Sequence, residues 1–259
     1  MSGVPLASIA AHLDALLRVR DTPDYPSAVN GVQVEHRGLV RKIAVAVDTS
    51  ARIIRAAADA DANMLLVHHG LFWGGLQPIT GSYYTRMRLL LDHDVALYSA
   101  HLPLDAHETF GNSRLLALEI GLEPAAGFAR HETIDCGVRG PSDIATDELL
   151  ARLNTFAKSH GGSAIASVMS PGRRTRHWAI CTGAGVNADT IREAVDHGID
   201  TLISGEGPHW SAVDAEEKGL VIIYAGHYAT ETLGVRALGE HLSTTFGVPW
   251  TFIAMPTGL

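Results

Sequence analysis

Apolar residues along this chain alternate between short solid runs and longer stretches with a period near 3.6, and the alternation predicts strands and helices in turn. Leu6, Ile9, Leu13, Leu16 and Leu17 recur at helical spacing, so the chain opens with an amphipathic helix ending before Pro23. Asp24-Tyr25-Pro26-Ser27 is a loop, Val32-Gln33-Val34 a short strand and Lys42–Asp48 a stronger one. Asp48, at the end of that strand, can reach a site at the strand end from beside it but reads first as a cap on the helix Ala51–Ala60, and Thr49 or Ser50 can cap it as well. A strand over Met64–Val67, a helix over Tyr83–Leu91 and a strand over Val95–Ser99 follow. Gly111-Asn112-Ser113 starts a helix that runs to Ile120 and closes at Gly121.

Pro, Ala and Gly dominate Glu123–Arg130, which reads as the passage between two halves. Beyond it the pattern predicts a strand over Ile134–Val138, a helix over Asp147–Ser159 capped by Thr146, and a strand over Ala164–Met169. The basic turn Pro171-Gly172-Arg173-Arg174-Thr175-Arg176 reads as a solvated hairpin tip rather than a phosphate site.

The second half repeats the first. Ile43–Asp48, a helix, Met64–Gly70 and Trp73 correspond to His177–Gly183, a helix Ala188–His197, Thr201–Gly207 and Trp210. Leu97-Tyr98-Ser99-Ala100-His101 and then Asp105 correspond to Ile223-Tyr224-Ala225-Gly226-His227 and then Glu231. The expected fold is therefore α/β, two similar α/β repeats with mostly parallel sheets, divided as 1–125 plus 224–259 and 126–223. In such sheets ligands sit outside the carboxyl ends of the strands. His68 and His69 stand at such an end, where the run Met64–Val67 stops.

Composition narrows the class. At 259 residues, 46% hydrophobic and 19% charged, the chain can bury a sizeable core. A net charge of -8 and a pI near 5.9 argue against a phosphate backbone as the main partner. Cys136 and Cys181 lie far apart with no Cys-x-x-Cys spacing, which indicates neither a disulfide framework nor a zinc knuckle and makes a reducing, cytoplasmic location the expectation. The amino terminus lacks the basic start and apolar core of a signal peptide, and no apolar stretch approaches a membrane span.

The donor residues carry the chemistry. A lone His-His pair reads most simply as loop imidazoles bonded to backbone. Here His68, His69, His101, Asp105, Glu206, His209, His227 and Glu231 form four clusters, each at the carboxyl end of a predicted strand. Imidazole and carboxylate together are the ligands of Zn, Mn, Fe or Co. Phe72, Trp73 and Trp210 read as packing. A Gly-x-x-x-x-Gly-Lys-Ser/Thr phosphate loop and a Gly-x-Ser-x-Gly nucleophile elbow are both absent, and Gly183-x-Gly185 lacks the rest of a dinucleotide fingerprint.

Taken in order, Asn30-Gly31-Val32-Gln33-Val34, Ala46-Val47-Asp48, Val67-His68-His69-Gly70-Leu71-Phe72-Trp73, Ser99-Ala100-His101-Leu102-Pro103-Leu104-Asp105, Gly205-Glu206 and Gly226-His227-Tyr228-Ala229-Thr230-Glu231 resemble the GTP cyclohydrolase 1 type 2 family, also called NIF-three-like. The resemblance covers nearly the whole chain; Pro103 departs from it, standing where the family often has a polar residue. It implies a NIF-three-like fold, a toroidal homohexamer and a dinuclear divalent-metal site. Carried over motif by motif, His69 and Asp105 hold one ion, His68 and His227 the other, and Glu231 bridges, while His101 and Glu206 line the site. The activity implied is ring opening of GTP to dihydroneopterin triphosphate and formate, with Glu231, His101 and Glu206 as the catalytic set. A metal-binding regulatory or chaperone protein without turnover is the alternative, and substrate-binding residues are left unassigned.

Overall fold

The computed structural model describes residues 3–259. Two compact units emerge: residues up to His107 with Gly234–Met255, and Glu108–Leu233 with Pro256–Leu259. The chain thus changes units earlier than expected at the first passage and later at the second, and its last residues join the second unit. The reason at the first passage is packing: Leu116 and Ala117 of the helix Asn112–Glu119, and Ile120 just after it, are buried in the second unit's core.

The first unit is built on a five-stranded sheet in the order Trp250–Phe252, Ile43–Asp48, Met64–His69, Ala96–Ser99, Gly31–Val34. The first four run parallel and the last is antiparallel to its neighbour. Up to Val47 and Val67, the strands Ile43–Asp48 and Met64–His69 are continuous apolar runs because interior parallel strands bury both faces. Ser50, not Asp48, caps the helix Ala51–Asp59: its side chain accepts from Ile53 N at 3.3 Å. That helix lays Ile53, Ile54 and Ala57 on Leu65, Val67 and Leu97, each such large side chain contributing about 1.5–3 kcal/mol by leaving water.

In the second unit the sheet has six strands, ordered Ala126–His131, Ile134–Ala145, Arg174–Cys181, Thr201–Ser204, Val221–Tyr224, Ile165–Ala166. Its central three are parallel, matching the trio Ile43–Asp48, Met64–His69, Ala96–Ser99 of the other repeat. Trp178 anchors the core fully buried among Leu149, Leu153 and Ile180, its indole N–H donating to Pro141 O at 3.2 Å.

Three expectations change. The passage expected over Glu123–Arg130 holds the strand Ala126–His131, which pairs as a hairpin with Ile134–Ala145. Only Phe128 gives that strand a large apolar residue, and it is fully buried. Thr146 is not a cap; it lies inside the helix Thr146–Ser159, where its hydroxyl meets that of Thr175 at 3.0 Å. The basic turn is tied into the fold, with Arg173 donating to Asp200 O and Gly219 O and Arg174 paired with Asp143. Among the described residues no helix is long and apolar enough to cross a membrane.

Candidate metal centre

In the first unit the parallel register sets Asp48 opposite His69 and Val67 opposite Ser99, so strand ends deliver their side chains to one edge. Successive residues of a strand point to opposite faces. His68 is accordingly fully buried, while His69 is 19% exposed. Nδ1 of His68 lies 2.8 Å from Ala100 O, Nδ1 of His69 2.9 Å from Asp48 Oδ1, and Nδ1 of His101 2.8 Å from Asp24 Oδ1. A carbonyl or carboxylate oxygen brings no proton, so each Nδ1 is the donor and each neutral ring keeps its lone pair on Nε2. Ring nitrogens of His68, His69 and His101 all lie within 4.8 Å of one another. The short helix Leu102–Asp105 then brings Asp105 Oδ2 to 3.4 Å from His68 Nε2. Pro103 is buried in that turn, at a position where its fixed φ suits the start of a helix.

The loop ahead of the first unit's edge strand organises these imidazoles, a role the sequence pattern did not reveal. Asp24 also accepts from Leu102 N at 2.9 Å and Asn30 Nδ2 at 2.7 Å, and Asn30 Oδ1 accepts from His101 N at 2.7 Å. Burial acts to raise the Asp24 carboxyl, but the His101 hydrogen bond and charge, with Asn30 and Leu102, hold it below its ordinary value. Gln33 ties the histidine turn down: its amide oxygen accepts from Leu71 N at 2.7 Å, and its nitrogen donates to Ala28 O and Val29 O. Trp73 packs edge-on against His101, with centroids 4.7 Å apart, as the packing reading expected.

Within the second unit His227 opens the short helix His227–Thr230, after Gly226 at φ 91°. Its Nδ1 lies 2.8 Å from Glu206 Oε1 and its Nε2 3.1 Å from Glu231 Oε2. Glu231 is 4% exposed and directed at the imidazole. Gly183, at φ 61°, gives it room: a Cβ there would overlap the Glu231 carboxylate. Burial works against a charged His227, yet the hydrogen bonds and charges of Glu231 and Glu206 prevail and push its pKa up to about 9. His209, the remaining donor read from the sequence, is exposed and lines a cavity that Glu206 also borders.

This arrangement is the one metal-ligating imidazoles adopt, with one nitrogen oriented by an oxygen acceptor and the other presented. The imidazole and carboxylate donors suit a borderline divalent cation, so the residues present fit a metal ion. A family model described as Duf34/NIF3 (NGG1p interacting factor 3) matches residues 5–257. The chain belongs to this family. Among its Duf34/NIF3 relatives, proteins from Deinococcus radiodurans and Halobacterium salinarum are each 39% identical. The alignments cover 95% of this chain and 92% of the first relative, and 98% and 99% for the second. Both are called GTP cyclohydrolase 1 type 2 homolog. A crystal structure from Thermus thermophilus superposes with a TM-score of 0.85 at 37% identity, over 98% of this chain and 99% of the other.

Proposed function

We propose that the protein is a dinuclear divalent-metal-dependent hydrolase acting on a nucleotide, with GTP ring opening to dihydroneopterin triphosphate and formate as the reaction. The observation that carries the reading is the common orientation of His68, His69, His101 and His227, each with Nδ1 spent on an oxygen acceptor. The relatives' shared name supports the substrate class. In this reading His69 and Asp105 hold one ion, His68 and His227 the other, and Glu231 is common to both. Two such ions supply a Lewis acid and an acidified water suited to hydrolysing a purine C–N bond.

The chain's own groups do the rest. Asp48, Ala100 O and Glu206 hold Nδ1 of His69, His68 and His227, so that Nε2 is the nitrogen each ring offers as a ligand atom. His101, with Nδ1–H donated to Asp24, keeps Nε2 as a proton acceptor beside His68 and His69. Glu206 contributes through His227, and Glu231 holds the negative charge that balances the cations. The reading includes a homohexameric, cytoplasmic protein.

Protein purified without chelator, analysed for metals and then reconstituted with Mn, Zn, Co or Fe, is assayed against a nucleotide panel with product identification. Formate and a dihydropterin triphosphate from GTP are the expected products. Stoichiometric metal with no turnover of any nucleotide would instead identify a metal-binding regulatory or chaperone protein.

A further inference from the structure

A cavity of about 520 Å³ opens in the second unit beside Glu206, the carboxylate that orients His227. Its volume falls in the range of about 300–1,000 Å³ usual for small-molecule sites. Ile165, Ala166, Ala212 and Tyr224 form apolar walls. The Tyr224 ring is held in place because its hydroxyl lies 2.8 Å from Ser211 Oγ, which itself donates to Pro208 O. Gly207 keeps that ring uncovered, since a Cβ there would press on Tyr224 Cε1. None of the residues lining the cavity is lysine or arginine; its titratable side chains besides Tyr224 are the Glu206 carboxylate and the His209 imidazole.

These features select a ligand. The Glu206 carboxylate repels a phosphate placed beside it, so the triphosphate of a nucleotide would lie away from Glu206. An ionised carboxylate only accepts hydrogen bonds, and its four lone-pair sites exceed the one that His227 Nδ1 uses. The matching ligand edge has adjacent N–H donors. An edge that pairs an amino group with a ring-nitrogen lone pair, as adenine does, sets that lone pair against the carboxylate.

We propose that this cavity binds a planar, uncharged heterocycle with adjacent ring N–H and exocyclic amino donors, the edge a guanine presents, and that Glu206 reads that edge. The proposal rests on the nucleotide reading above and locates its base-recognition site. It also gives Glu206 two simultaneous partners, the heterocycle and His227.

Nucleosides test it without phosphate contacts. Titration calorimetry of the metal-reconstituted full chain compares guanosine, 1-methylguanosine, which lacks the ring N–H, and adenosine. Guanosine is expected to bind saturably and at least about tenfold more tightly than the other two, the factor that one lost buried hydrogen bond of about 1.4 kcal/mol carries. Ala212→Trp and Ser163→Phe, each filling the cavity from a different wall, should abolish guanosine binding while metal content per protomer is unchanged. Glu206→Gln should lower guanosine affinity while leaving adenosine affinity unaltered. Equal affinity for guanosine and adenosine, or guanosine binding untouched by both filling variants, overturns the proposal. Selective guanosine binding without turnover of any nucleotide leaves the cavity assigned and sinks the hydrolase reading; GTP turnover without guanosine selectivity does the reverse.

Discussion

Asp48 and His69 end adjacent parallel strands as Cα partners, and Asp48 Oδ1 lies 2.9 Å from His69 Nδ1. The carboxylate fixes the ring's tautomer and orientation, so Asp48→Ala should weaken divalent-ion binding about 10–100-fold. Competition with a chromophoric chelator measures this. Unaltered affinity in a folded variant would mean that His69 ligates nothing or needs no orienting partner.

Glu231 separates the two ions' fates. On the proposed assignment, its replacement by alanine would remove a ligand from each ion and leave two cations uncompensated, so both occupancies should fall. Asp105→Ala should chiefly empty the ion shared with His69, and His227→Ala the one shared with His68. Metal counts per protomer in the three variants read this out. Two ions retained in folded Glu231→Ala protein would end the bridging role.

Gly70 sits where a Cβ would overlap the Gln33 amide, which is bonded to Leu71 N, Ala28 O and Val29 O. Gly70→Ala should therefore displace that amide and destabilise the protein by about 1–3 kcal/mol, the cost of leaving such groups unsatisfied. In a Gln33→Ala background the same substitution should cost much less, because the obstacle has gone. Additive effects in urea denaturation would show that the clash is relieved elsewhere.

Chelated protein should grow less stable as pH rises from neutrality. His227 has a folded pKa pushed up to about 9 against an ordinary 6.5. Its contribution is fully present below pH 6.5 and is lost as pH rises through 9, since the unfolded chain releases its proton first. Melting temperature across that window should fall in the wild type and flatten in His227→Gln. The same raised value means that metal uptake at pH 7 to 8 expels a proton, measurable as buffer-dependent heat. A melting temperature independent of pH in the metal-free wild type would contradict the charged pair.

The parallel trios, their helices and the donor clusters were legible because each is a local pattern: an apolar run, a helical period, an imidazole where the run stops. What escaped was set by pairing across the chain. Asp24 lies 77 residues from His101 in an ordinary polar loop, and nothing local distinguishes it from a solvated acid. Asp48 resembles a helix cap by position, yet Ser50 takes the cap and frees the carboxylate for His69. The strand Ala126–His131 escaped because Ala, Gly and Arg carry no alternation, and its place is secured by pairing with Ile134–Ala145. Trp250–Phe252 is short and follows Pro249; its partner strand begins at Ile43.

Gly183 gives the glutamate a signature that can be read in genomes. Its left-handed backbone and the carboxylate lying against it leave no place for any side chain. In a homologous gene, a residue other than glycine at this position would therefore mark a descendant whose Glu231 counterpart has been turned aside. Inspection of that one codon would sort lineages that keep the carboxylate against His227 from those that kept the architecture without it.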